Sequence, residues 1–95
     1  RVLSSKEALD WGLINKVVDD EDVINETNKL AMKIAKGPTK AFGGVKEMIR
    51  QSFSNGLETQ MELESQIFLE QLKGSDGPEG IEAFTSKRKP EFKGK

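Results

Sequence analysis

Helix punctuation constrains this chain more than any other feature. Gly12, Gly37-Pro38, Asn55-Gly56, Gly74 and Pro90 interrupt it, and between them apolar residues recur every three or four positions. That period belongs to helices with one buried face. The spacing predicts an all-α fold of five helices, near 5–11, 20–36, 38–54, 57–73 and 77–89. A short extended segment is expected at 13–18, where Leu13 to Val18 is β-branched and partly alternating. No good strand partner for it is visible.

Local signals support each helix. Ser4 followed by Glu7 forms a capping box, and Gly12 stops the first helix. Asp19 or Asp20 caps the second, whose acidic start suits the positive end of the helix dipole. Its stripe is Val23, Ile24, Thr27, Leu30, Ala31 and Ile34. The third carries Phe42, Val45, Met48, Ile49 and Phe53 on one face, with Gly43-Gly44 inside it. A close helix crossing explains those glycines most simply, and a kink is the alternative. A phosphate-cradling loop does not fit, because no strand precedes them. The fourth helix shows a stripe of Leu57, Met61, Phe68 and Leu72, with Ile67 beside it and Glu64 inside it. Glu64 reads as a rim or ion-pair residue before it reads as a catalytic acid. Asp76 and Glu79 resemble a capping box for the last helix, and Pro90 is expected to end it near Arg88 or Lys89.

Composition removes whole classes of chemistry. The 95 residues suffice for one small domain, and they include no Cys, His or Tyr. Thiolate nucleophiles, Ser-His pairs, disulfides and His- or Cys-ligated metals are therefore excluded. No apolar run approaches the roughly 20 residues that span a bilayer, and the opening residues form no secretory leader. The chain opens on Arg1, which suggests a segment of something longer. Its net charge is −1, yet residues 85–95 carry +4. That tail lacks the aromatic platform or helix-turn-helix of a nucleic-acid binder, so no nucleic-acid or membrane partner is expected.

Two stretches carry a family resemblance. In "RVLSSKEALDWGLINKVV" the residues Arg1, Ser5, Glu7, Ala8, Gly12, Leu13, Val17 and Val18 resemble a pattern of the crotonase (enoyl-CoA hydratase/isomerase) superfamily. In "SDGPEGIEAFTSKRKPEFKGK" the residues Ser75, Asp76, Glu79, Gly80, Ala83, Phe84, Lys87, Arg88, Pro90, Phe92 and Gly94 resemble its closing signature. Pro38, Lys46, Leu57 and Glu64 also match. The resemblance implies the C-terminal helical region of such a protein. Residues 1–18 would pack on the missing core, and 90–95 would form a tail.

The resemblance further implies an upstream core holding the oxyanion hole and catalytic glutamates. No catalytic residue and no metal ligand is then expected here, and the segment alone would be inactive. The expected partners are its own core domain, neighbouring subunits of a homotrimer or hexamer, and acyl-CoA. Self-association of the free chain also follows. No covalent cofactor is expected; the ligand would be the coenzyme A moiety of the substrate. Phe84 and Lys87 match the residues beside the CoA nucleotide. On residue physics alone Phe84 reads first as a core anchor and Lys87 as a solvated helix-end charge; the resemblance raises ligand contact at Phe84 to equal standing. Trp11 reads as a packing residue. The implied compartment is the cytoplasm, or the mitochondrial matrix in a eukaryote. The alternative to this whole reading is a free-standing helical protein–protein interaction module.

Overall fold

The computed structural model describes all residues, Arg1–Lys95. It is all-helical: α1 Ser5–Asp10, a 3-10 turn Asp20–Asp22, α2 Val23–Ala35, α3 Thr39–Ser52, α4 Leu57–Lys73 and α5 Asp76–Thr85. Five helices were expected, and five form. Leu13–Val18 makes no strand and runs as an irregular connector. Two compact units can be distinguished, Arg1–Ala31 and Met32–Lys95.

In the first unit the local signals act as read. The Ser4 hydroxyl accepts from the Glu7 amide at 3.2 Å, and the Glu7 carboxylate accepts from the Ser4 amide at 3.0 Å. The Ser4 amide, the Ser4 hydroxyl donating to the carboxylate at 2.8 Å, and Arg1 at 3.2 Å hold the Glu7 carboxyl below its usual range. At the other end, the Gly12 amide donates to Leu9 and the Leu13 amide to Ala8, closing the helix. The acids at 19–22 do not begin α2 directly. They form a tight 3-10 turn, common at helix starts, and the Asp19 side chain makes no capping bond.

In the second unit α3 packs on α4 and α4 on α5. The α3–α4 seam is set by Gly44. A Cβ there would lie 2.7 Å from Ile67 Cγ2, so the helices approach as closely as only glycine permits. Gly43 faces open space. The close-crossing reading of the glycine pair therefore holds at Gly44 alone. The turn between the helices is tied by Gln60, whose amide donates to the Met48 carbonyl at 3.0 Å and accepts from Asn55 at 3.2 Å.

This seam corrects the expected face of α4. Gln60, Leu63, Ile67, Gln71 and Leu72 are its half-buried positions; of the expected stripe, Leu72 is among them, whereas Leu57, Met61 and Phe68 are exposed. Large apolar side chains remain open in both units, and Ala83 is the one buried apolar residue. The chain exposes 8080 Å², whereas a folded monomer of 10.6 kDa exposes about 5,500 Å².

The glycine pair supplies a test with opposite signs. Gly43→Ala adds helix propensity at no steric cost and should stabilise by ~0.5–1 kcal/mol. Gly44→Val overpacks the seam and should destabilise by ~1–3 kcal/mol. Urea denaturation of the two variants reads both effects.

Candidate functional site

The matching closing residues fold back onto α5 and hold it. The Asp76 side chain, 6% exposed, is the buried charge of the chain. Its Oδ1 accepts from the Lys93 amide and its Oδ2 from the Gly94 amide, both at 2.8 Å. In return, the amides of Ser75 and Asp76 donate to the main-chain oxygen of Lys95 at 3.0 and 2.8 Å. The first amides of a helix lack partners within it; here the tail supplies them. Asp76 is thus a clamp and not the cap that local reading assigned. No side chain caps α5.

Glu79 extends the clamp. It accepts from Arg88 Nη1 at 2.6 Å, Arg88 Nη2 at 3.1 Å and the Glu91 amide at 3.0 Å. The Arg88 fork first, then the Glu91 amide, lowers the Glu79 carboxyl to about 2. Arg88 is raised in turn. Phe92 completes the fold-back, its ring lying beside Gly80, where an added Cβ would sit 3.5 Å from Cε1.

The end of α5 differs from expectation. The helix stops at Thr85, not near Arg88 or Lys89. The Lys87 amide donates to Phe84 at 3.2 Å and the Arg88 amide to Ala83 at 2.9 Å, a Schellman closure with Lys87 in the left-handed position, φ +53°. A non-glycine residue there carries a cost of roughly 1–2 kcal/mol. The Arg88–Glu79 pair favours this turn, because it draws the chain back across α5. Pro90 lies beyond the stop.

Phe84 is 87% exposed, so it is no core anchor within this chain. It borders an open hollow of about 390 Å³ together with Pro38, Ile81, Gln71 and Phe92. Lys87 lies just past the helix rather than one turn along its face. The Lys87 ammonium makes no ion pair, whereas Arg88 beside it is committed to Glu79. The two expected ligand residues therefore occupy one helix end, with an exposed ring and an uncommitted cation.

Other candidates separate from this site. Trp11 is exposed, with the Arg1 guanidinium 5.5 Å from its ring centre, a cation–π contact. Glu64 lies at the rim of the α3–α4 groove, takes the Gln60 amide at 3.5 Å and has no cation partner. It is a rim residue. No cluster of acidic side chains converges to hold a metal ion, and no helix is long and apolar enough to cross a membrane. Local reading missed the clamp role of Asp76, the Glu79–Arg88 pair and the packing of Phe92 on Gly80. Asp76 and its tail amides are 17 and 18 residues apart, beyond any helical spacing rule.

Residues 1–95 match the enoyl-CoA hydratase/isomerase family throughout. The chain belongs to that family, within the crotonase superfamily. It is 39% identical over 93 residues to the 1,2-epoxyphenylacetyl-CoA isomerase of Escherichia coli K12, covering 98% of this chain and 36% of that protein. It is 40% identical over 88 residues to the mouse protein "Enoyl-CoA hydratase domain-containing protein 3, mitochondrial", covering 93% of this chain and 29% of that one. Among solved structures, the enoyl-CoA hydratase of Bacillus anthracis superposes with a TM-score of 0.84 at 31% identity, covering 98% of this chain and 36% of that one. The chain spans about a third of the length of the curated relatives it matches. Its closing crotonase residues now have physical roles: Asp76, Glu79 and Arg88 make the clamp, and Gly80 and Phe92 pack within it.

The clamp should be measurable. Asp76→Ala removes two charge-assisted bonds, each worth ~1.5–3 kcal/mol, so amide exchange at Lys93 and Gly94 should accelerate sharply while α1 is unaffected. The pH sign follows from Glu79. Its folded value lies below the ordinary 4.5, so its stabilisation is present above about pH 4.5 and lost as pH falls through about 2. Carboxyl NMR should find the Glu79 midpoint well below the ordinary 4.5, with protection of the Glu91 amide falling in the same window.

Proposed function

We propose that this chain is the C-terminal helical region of a longer enoyl-CoA hydratase/isomerase family protein, where it serves assembly and covers bound coenzyme A. The observation that carries the ligand part is the end of α5. Phe84 projects into solvent beside a hollow, and Lys87 keeps a free ammonium in a strained left-handed conformation. Strain of that kind is tolerated where surrounding structure imposes it and is frequent at ligand sites. An aromatic face can stack on adenine, and a flexible ammonium can meet a phosphate. The acyl-CoA named for the Escherichia coli relative supports coenzyme A as the nucleotide.

The assembly part rests on the surface. The open stripe of α2 and the exposed Leu57, Met61 and Phe68 of α4 are apolar faces that a folded monomer does not normally leave bare. We assign them to the protein's own core and to neighbouring subunits of a homotrimer or hexamer. The compartment we propose is the cytoplasm, or the mitochondrion in a eukaryote, as in the name of the mouse relative. Substrate turnover is assigned to the core of the longer protein, because this chain has no pair of catalytic carboxylates facing an oxyanion hole. A hydratase or isomerase assay on the 95-residue chain should read background, and light scattering should show its mass rising with concentration. Real turnover would overturn the assignment of the chemistry; a fixed monomer mass would overturn the assembly role.

Variants at α5 test the ligand role directly. Phe84→Ala should weaken CoA binding by roughly five-fold or more, given stacking worth ~1–3 kcal/mol. Lys87→Gly should do two opposed things: relieve the left-handed strain and stabilise by ~1 kcal/mol, while also weakening CoA binding. Calorimetric titration and thermal melts separate the two. Unchanged affinity in both variants would contradict the reading.

A further inference from the structure

Two open stripes in the second unit share one spacing. On α3, Phe42, Lys46, Ile49 and Phe53 follow one another at steps of four, three and four residues, with Phe53 just past the helix end. On α4, Leu57, Met61, Glu64 and Phe68 follow at the same steps. All of these side chains are exposed. Each stripe is apolar apart from one charge, and the two charges are opposite. Neither is answered within the chain. Glu64 takes only the Gln60 amide, at 3.5 Å. Lys46 makes no ion pair, whereas Arg50 one turn on is bound to Glu47. Gly44 marks the side of α3 that meets α4. At 100° per residue the Phe42–Phe53 stripe lies on the opposite side of α3, so the two stripes do not meet inside one chain.

We propose that the α4 stripe of one copy docks the α3 stripe of a second copy, antiparallel, with Lys46 of one paired to Glu64 of the other. The inference rests on the assembly role and adds to it the two faces, their register and the pair that sets it. Laid antiparallel at full overlap, the stripes place Phe42 against Phe68, Lys46 against Glu64, Ile49 against Met61 and Phe53 against Leu57. Laid parallel, they place Lys46 against Met61 and Glu64 against Ile49, and both charges are covered without a partner. A charge buried that way is costly, and one charged pair inside an apolar seam is a known device for fixing register and orientation. Other stripes of the chain answer Glu64 less well. The stripe of α2 carries no cation, and Arg88 at the end of α5 is already held by Glu79. The α4 stripe also borders an open groove of about 490 Å³ lined by Val45, Met48, Glu64 and Phe68, which gives an incoming side chain a seat. There is surface to cover: the excess over a folded monomer of this mass is about 2,600 Å², against the roughly 1,200–2,000 Å² that a standard interface buries.

Charge reversal tests the pairing on the 95-residue chain by sedimentation equilibrium. Glu64→Lys alone and Lys46→Glu alone each set like charges face to face and should weaken self-association by roughly ten-fold or more. An equimolar mixture of the two variants should recover it, because each contact between unlike chains again joins opposite charges. The double variant Lys46→Glu with Glu64→Lys should likewise associate as the unmodified chain does. Both positions are exposed, circular dichroism checks that each variant is folded, and a misfolded chain cannot produce the recovery on mixing. Self-association that survives both single reversals, or that neither the mixture nor the double variant restores, overturns this inference and leaves the assembly role standing. An unmodified chain that stays monomeric at every concentration overturns both.

Discussion

A single carboxylate organises the closing segment of this chain, α5 and the tail. Asp76 sits almost wholly buried, and each of its oxygens takes one backbone amide of the tail. A buried charge is costly unless its hydrogen bonds are complete, so the tail and α5 form together or not at all. Once the tail lies back along the helix, Arg88 meets Glu79, Phe92 meets Gly80, and the chain must reverse at Lys87. The left-handed Lys87 belongs to that reversal. The position of the Lys87 cation beside the exposed ring of Phe84 is thus tied to contacts made by the tail.

The rest of the molecule shows the opposite condition. Its helices are well formed, yet few side chains are buried. The surface ion pairs, such as Lys16–Glu26 and Arg50–Glu47, are exposed and contribute little to stability on their own. Apolar stripes of good helical period stand open. Under the proposed assembly role, such stripes are the half of an interface that a helix can encode by itself, and the core and neighbouring subunits would supply the other half. This is consistent with a chain that spans about a third of its curated relatives.

Elements decided by short-range chemistry were legible. The Ser4–Glu7 capping box, the Gly12 stop and the α4 bounds follow from residues a few positions apart. Elements decided at long range were not. The packed face of α4 was misassigned because apolar size suggested Met61 and Phe68, while the true seam is set by the absence of a side chain at Gly44. Local signals put the end of α5 near Arg88 or Lys89, ahead of Pro90, because nothing local shows that Arg88 reaches back to Glu79. The same holds for Asp76, whose spacing to α5 imitates a cap and whose partners lie in the tail. Phe84 and Lys87 enter through family resemblance alone, whereas the hollow beside Phe84 becomes visible only when its lining residues from α3, α4, α5 and the tail are brought together.

The most direct measurement is a map of amide and side-chain NMR shifts while coenzyme A is added to the unmodified chain, with inorganic pyrophosphate added in parallel. The expected result is a set of changes centred on Phe84 and Lys87 that coenzyme A produces and pyrophosphate does not reproduce. Contradiction would be a pattern spread over Lys89, Lys93 and Lys95 that both additions produce equally, since a basic tail meeting any polyanion would behave in that way.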